Sequence, residues 1–354
     1  MIGLSWQVEC APLATIKDVA KRAGVAISTV SAVLNRSAPV SEETIGKVQL
    51  AVAEIGYMPH GVAQSLRSGR SRLIGLVVPN IANPHFAAVA REVENVCLAA
   101  GYTTVVYSTG QDSARESQVL KMMRMQRVAG LIVIPTRSDA AHGAQLAGQI
   151  HVPTILLDMY VEGLPYHVIK TDNVEAGRLA ADHLLSLGHR RIGIIVGIPG
   201  LATSDDRHAG YLKAHADHGV PVDPALAVIG AFDQRRAHDV ALGLLGRPDR
   251  PTAMLAISNM MMLGLLFAIK ELRLAIPDDV SVVGIDDLEF AGLLDPRPSA
   301  VATPILVMAR RAIEALLAQI ANPAPIEGPW EVHQPSLIVR ESAAAPRPVA
   351  ALAD

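Results

Sequence analysis

Near the start of the chain, apolar positions recur every three or four residues in three short runs, and each run carries the punctuation of a helix. Ile16, Val19 and Ala20 share one face behind Thr15, a cap standing three positions before Asp18, and Gly24 supplies the tight turn that follows. A second helix begins near Ile27, with Val30, Val33 and Leu34 inward and Ile27, Ser28, Ser31 and Ala32 outward. Ser41-Glu-Glu-Thr44 opens a third helix with a side-chain cap and first-turn carboxylates, and Ile45, Val48, Val52 and Ile55 carry it to Gly56. The pattern predicts a small all-α head in which the first two helices form a helix-turn-helix, the second laid in the major groove of DNA. The same spacing also suits any small helical hairpin.

Residues 59–72 break the pattern. They are short, basic and punctuated by glycine, with Val62, Ala63 and Leu66 at helical spacing. Alone in water such a segment is too short to hold a helix. Two readings stay open: a flexible linker, or a hinge that becomes helical over DNA with Leu66 as a minor-groove wedge and Arg67, Arg70 and Arg72 near phosphates.

From Leu73 the period changes. Apolar runs of strand length (Leu73–Val78, Thr103–Tyr107, Leu131–Ile134) alternate with helices opening at Asn83-Pro84 and lying near Gln118. The alternation repeats from Asn173 through strands at Arg191–Val196, Leu226–Ile229, Thr252–Ala256 and Val280–Ile285, with helices between them. Two doubly wound parallel sheets are expected, with a cleft between two lobes where small ligands bind. The expected division is a disordered extension 1–13, a helix-turn-helix domain 14–58, a hinge 59–72, a core 73–342 and a flexible tail 343–354. Within the core, lobe 1 is expected at about 73–171 and 287–320, and lobe 2 at about 172–286 and 321–342, the chain recrossing after Asp286 and near Asn322.

Length and composition agree: 354 residues, half of them apolar, supply material for two or three compact units. No apolar run reaches the roughly 20 residues of a bilayer span, and the first residues do not read as a signal peptide, so a cytoplasmic chain is expected. Net charge is −3, unevenly placed: between Thr15 and Arg72 eight cations face four carboxylates, a net +4 that leaves −7 on the remainder. A basic head on an acidic body is the asymmetry of a DNA-binding module fused to something else. Cys10 and Cys97 have no metal-ligand spacing and are expected to be free thiols; no metal or cofactor is expected.

At this point the residues resemble the lactose-repressor (LacI/GalR) family of bacterial transcription regulators, from about Thr15 to Ser342. The pieces fall in the family's order: Thr15-Ile-Lys-Asp-Val-Ala20, Thr29-Val-Ser-Ala-Val-Leu-Asn35, Val40-Ser-Glu-Glu-Thr44, Gly56-Tyr-Met-Pro59, Asn83-Pro-His-Phe86, Thr171-Asp-Asn173, Leu187-Gly-His-Arg190, Arg207-His-Ala-Gly-Tyr211, Pro277 to Asp286 and Leu337-Ile-Val-Arg-Glu341. The resemblance implies a homodimer on a pseudo-palindromic operator, a hinge that orders on DNA, and a periplasmic-binding-protein-like core that senses a small-molecule effector. It implies DNA contacts at Thr15, Ile27, Ser28, Thr29, Ser31, Ala32, Asn35, Ala63, Leu66 and Arg67. It places the effector among His85, Phe86, Asp172, Thr203, Arg207, Phe232, Ser258, Asn259 and Asp286, whose carboxylates, guanidinium and phenyl rings suit a sugar or sugar derivative.

The departures are informative. Ala26 stands where relatives carry a capping serine, a change worth about 0.5–2 kcal/mol of helix stability. Ala32 replaces an arginine that grips guanine, so a contact worth ~1–3 kcal/mol of base discrimination is lost. Operator reading is therefore expected to lean on methyl contacts, phosphates and bending. Gly61 costs the hinge about 1 kcal/mol of helix propensity. Ser258-Asn259 replaces the Asn-Asp of many sugar sensors and removes a carboxylate. Among competing classes, catalysis finds no Gly-x-Ser-x-Gly elbow, Walker loop or His-Glu-x-x-His, and a transport-type solute-binding protein would have to be exported.

Overall fold

A computed structural model of the chain describes residues 14–35, 37–57, 71–323 and 330–347. The chain divides into two compact units, Met1–Ser71 and Arg72–Asp354. Residues 1–13 and most of the expected hinge, with Ala63, Leu66 and Arg67, lie outside the described residues.

Among the described residues the first unit holds three helices, α1 (Ile16–Ala23), α2 (Ile27–Asn35) and α3 (Glu42–Ile55). The Asp18 carboxylate turns back to accept from the Thr15 backbone N–H at 2.8 Å and from its hydroxyl at 2.7 Å. Gly24 and Gly56 close α1 and α3 at φ +66° and +62°, a left-handed conformation that glycine adopts without a Cβ penalty. Val19, Ala20, Val30, Val48 and Ala51 are buried together, ringed by Ile16, Val33, Leu34, Val52 and Ile55.

The second unit begins with β1 (Leu73–Val78), α4 (Pro84–Ala99), β2 (Thr103–Ser108), α5 (Ser113–Met125), β3 (Gly130–Val133), α6 (Ala140–Ala147), β4 (Thr154–Leu157) and β5 (His167–Thr171). It continues with α7 (Asn173–Ser186), β6 (Ile192–Val196), α8 (Ala202–Asp217), β7 (Ala227–Ile229), α9 (Gln234–Leu245), β8 (Ala253–Ala256), α10 (Asn259–Glu271), β9 (Ser281–Ile285) and β10 (Ser299–Ala302). It ends with α11 (Ile305–Ala321), β11 (Trp330–His333) and β12 (Ser336–Ile338). Two six-stranded sheets result, ordered β11-β5-β4-β3-β1-β2 and β12-β10-β9-β8-β6-β7. Every pairing is parallel except the antiparallel edge strand β12. The inner strands are apolar on both faces because helices cover both sides, which is why they read as unbroken hydrophobic runs.

The lobe boundaries need correction. Strand β10 stays beside β9 in the second sheet, so the chain returns to the first lobe only after Ala302; β11 then joins β5 in the first sheet, and the last crossing falls between His333 and Ser336. Residues 287–298 form loop and a single 3₁₀ turn, with nothing long enough to cover another sheet. Strand β11 turns its apolar residues outward, Trp330 being 50% exposed and Val332 45%, so it lacks the signature of a buried strand.

The expected flexible tail is also corrected over residues 343–347. The Ala344 N–H donates to Ser281 Oγ at 3.1 Å, its carbonyl lies 2.9 Å from His189 Nε2, and Arg347 pairs with Asp278 at 2.6 Å. Residues 348–354 lie outside the description.

Helix α8 is locked against α7 at backbone contact. A Cβ on Gly177 would meet the Arg207 carbonyl oxygen at 1.9 Å, and one on Gly210 would meet that of Val174 at 2.0 Å. Only glycine fits at either position, and the crossing fixes where Arg207 points.

Candidate functional site

The carboxyl ends of both sheets face one cleft, as expected for open α/β lobes. From the first lobe it is lined by Asn80, His85, Phe86, Gln111, Thr136 and Asp158, each just beyond a strand or in the first turn of α4. The second lobe presents Thr203, Arg207, Phe232, Ser258, Asn259 and Asp286. Eight of the nine positions named from sequence thus meet in one place.

Asp172 does not line it. Its carboxylate accepts from the Glu175 N–H at 3.0 Å and caps α7 at the first crossing between lobes. A helix entering directly from a strand end leaves backbone N–H groups without partners, and the side chain satisfies one of them.

Arg207 and Asp286 dominate the electrostatics. The Arg207 side chain is 2% exposed and that of Asp286 10%. Nη1 donates to Asp286 Oδ2 at 2.9 Å and to the Ile257 carbonyl at 2.6 Å, Nη2 to Asp286 Oδ1 at 3.4 Å, and Nε to Asn173 Oδ1 at 2.8 Å. Thr303 adds a hydroxyl to Asp286 Oδ1 at 2.8 Å, and His85 Nδ1 stands 3.9 Å from the same oxygen. Burial pushes the Asp286 carboxyl upward, but Arg207, His85 and Thr303 together bring it below the usual carboxylate range.

Asp158 sits in the same field with the opposite outcome. It is 6% exposed, and among the described residues no hydrogen-bond donor reaches its carboxyl; burial raises its pKa, and the negative Asp286 adds to that against the opposing pull of His85 and Arg207. One cleft therefore holds an ionised carboxylate and a carboxyl biased toward its neutral, donating form. The buried Thr203 hydroxyl likewise has no partner among the described residues.

Backbone conformation marks the same place. Gln111, Asp158, Phe232 and Asp286 all carry φ between +57° and +71°, an uncommon region for residues with side chains and one that concentrates at functional sites. Asp158, Gln111, Thr136 and Asn80 were not among the sequence candidates. The readable signal was their place just past strand ends, above all an aspartate directly after the apolar run Thr154-Ile-Leu-Leu157.

Two candidates also serve structure. Ser258 Oγ caps α10 by accepting from the Met261 N–H at 3.3 Å, and the Asn259 amide donates across the cleft to Asn83 Oδ1 at 2.8 Å. Met261 and Met262 are buried in the second lobe's core. Cys97 is buried, which raises its thiol pKa and disfavours a reactive thiolate.

On the first unit, α2 presents Ile27, 44% exposed, with exposed Ser28 beside it, while Thr29, Ser31 and Ala32 are half-buried. Asn35 donates to the Ser31 carbonyl at 2.8 Å. No side-chain oxygen is available at Ala26, the residue ahead of α2, although its carbonyl accepts the first helical bonds from Thr29 and Val30.

Comparison with known proteins places these features together. Residues 15–60 match the bacterial regulatory proteins of the lacI family, and residues 181–343 match the periplasmic binding protein-like domain. The HTH-type transcriptional repressor PurR of Pectobacterium carotovorum subsp. carotovorum (strain PC1) is 34% identical over 333 residues, covering 94% of this chain and 97% of that protein. The ribose operon repressor of Haemophilus influenzae is 34% identical over 330 residues, covering 93% and 98%. Among solved structures, a lac repressor dimer bound to operator and the anti-inducer ONPF superposes with a TM-score of 0.84 at 27% identity, over 94% of this chain and all of that one. A CelR–cellobiose complex gives 0.70 at 27% identity, over 93% of this chain and 100% of that one.

Proposed function

The chain belongs to the lacI family of bacterial regulatory proteins, and on that premise we propose that it is a sequence-specific transcriptional repressor whose operator affinity is set by a small molecule held between its two core lobes. The observation that carries the sensing half is the cleft itself, where Arg207, Asp286, Asp158 and His85 converge between two phenylalanines at the carboxyl ends of both sheets.

The ligand is a sugar or sugar derivative. Asp286, held ionised by Arg207, accepts from ligand hydroxyls; Asp158 and Thr203, whose side chains have no hydrogen-bond partner among the described residues, offer further polar contacts; Phe86 and Phe232 cover an apolar ring face. Arg207 itself has little left to offer, since its nitrogens are engaged by Asn173, Ile257 and Asp286. It acts chiefly by fixing the carboxylate. Ribose and cellobiose appear in the names of similar proteins and belong first in any panel.

On the DNA side, the exposed Ile27 and Ser28 of α2, with Thr29, Ser31, Ala32 and Asn35 along the helix, are the base- and phosphate-facing set. Two copies act together on a pseudo-palindrome in the cytoplasm, associated with the nucleoid when operator-bound. The ligand prefers one arrangement of the lobes, and that preference is passed to the head as a shift in population. A thermal-shift screen of the full chain against sugars, sugar acids, polyols and nucleobases, followed by gel retardation with each hit, tests the reading. A hit that raises the melting point and changes operator affinity supports it; a ligand that does the first and never the second removes the regulatory role.

A further inference from the structure

Most core helices begin on a side chain of their own: Asn83, Asp112, Asp139, Asp172, Asp233 and Ser258 cap α4, α5, α6, α7, α9 and α10. Helix α8, which carries Thr203 and Arg207 into the cleft, begins on Leu201, and a leucine has no atom with which to cap. Its first amide is nevertheless satisfied. The Ala202 N–H donates at 3.0 Å to Ser138 Oγ, which belongs to the opposite lobe, in the loop between β3 and α6.

This contact is dry and braced. Ser138 is 6% exposed, Ala202 6% and Leu201 6%, and the last two pack into the hydrophobic core of the first lobe although they belong to the second. The Ser138 carbonyl accepts from the Glu162 N–H at 3.0 Å. Two residues earlier, Thr136 is gripped by the wholly buried Glu116, which accepts from the Thr136 N–H at 3.1 Å and from its hydroxyl at 3.0 Å, with His142 Nε2 2.7 Å from the same carboxylate. The serine is thus presented from a loop fixed at both ends.

We propose that Ser138 is a positioning residue for the closed cleft: it caps α8 from the other lobe, so that the first turn of the helix bearing Thr203 and Arg207 is complete only while the lobes are together. Separating the lobes strips the Ala202 amide of its partner, and Leu201 has no local substitute to supply. Ligand affinity and lobe closure are coupled at this hydroxyl, whatever the ligand's identity.

The test is hydrogen exchange on the full-length protein without ligand, comparing wild type with S138A and S138T. S138A should speed exchange about five- to tenfold in residues 200–206, the scale expected for a lost helix cap, and in the facing cleft loops at 83–86 and 135–138 as well. S138T, which keeps a hydroxyl, should restore wild-type rates. Urea unfolding of each variant shows whether the change is local, and the midpoint should stay near that of wild type. Unchanged exchange in S138A overturns the proposal. So does a change confined to residues 200–206, which makes the serine a cap with no part in closure, and so does a rise throughout the core with a lowered midpoint.

Discussion

Replacing Arg207 by methionine removes a cation from a site where its partner cannot rehydrate freely. Asp286 would keep only the Thr303 hydroxyl and the more distant His85 ring, while Asn173 Oδ1 and the Ile257 carbonyl would each lose a donor. Deleting one member of a buried ion pair costs about 3–5 kcal/mol, most of it for the charge left behind. The open side of the cleft admits some water to Asp286, so the expected loss in R207M is near the lower end, about 3 kcal/mol. Removing both charges at once, in R207M/D286L, leaves no buried ion; its penalty should fall short of the summed single-variant penalties by about 2–3 kcal/mol. The assay is urea unfolding of the core transition followed by circular dichroism for wild type, R207M, D286L and the double variant. In parallel, R207M should lose its response to any cleft ligand and still retain operator DNA. Strict additivity of the two single changes would refute the reasoning, because it would mean that the contact contributes nothing beyond side-chain packing.

Further outcomes follow from the same contacts. His183, His189, His208 and His215 lie in the second lobe, and burial lowers the pKa of each. Such groups bind protons more readily when unfolded, so the stability they contribute is complete above about pH 6.5 and is lost as pH falls below it; the core's melting temperature should drop between about pH 7 and about pH 5.5, where carboxylates titrate little. Asp158 has a raised pKa, so its contribution to stability is complete below the unfolded carboxylate value and is lost as pH rises through the folded one. D158N, which stays neutral, should gain stability relative to wild type as pH increases, and a pH-independent difference between the two melting curves would contradict the environment assigned to that carboxyl. In the head, A26S supplies the missing oxygen ahead of α2 and should stabilise that unit by about 1 kcal/mol, read from amide exchange in α2; no gain would mean the α2 N–H groups are already satisfied in solution.

How much of this was legible depended on whether a residue's surroundings are local in sequence. The head could be read directly, since Thr15, Asp18, Gly24, Ser41 and Gly56 act within a few positions of themselves. Central strands such as Leu73–Val78 and Ile192–Val196 announced themselves as runs buried on both faces. Edge strands did not: β11 alternates in the outward sense, and its place beside β5 is set by pairing with residues more than a hundred positions away, which displaced the last lobe boundary, while the one before it moved because β10 pairs with β9. The cleft was legible by resemblance for eight residues, whereas Asp172 stands at a strand end where a cap and a ligand contact have the same sequence signature, and only the bond to Glu175 separates them. Asp158 could be read as a strand-end aspartate but its environment could not, and Ser138 became visible only once the lobes were placed, because the significance of each lies in what the other lobe brings to it.

The most direct measurement is gel retardation by the full-length protein on fragments from upstream of its own gene cluster, with salt raised from about 50 to about 200 mM and cleft ligands added in turn. A single fragment should be held in preference to the rest, its affinity should fall linearly on a log–log plot against salt, and at least one ligand that raises the melting point should shift that affinity by about fivefold or more. Equal retention of every fragment, or a preferred fragment whose affinity no cleft ligand alters, would contradict a ligand-controlled repressor.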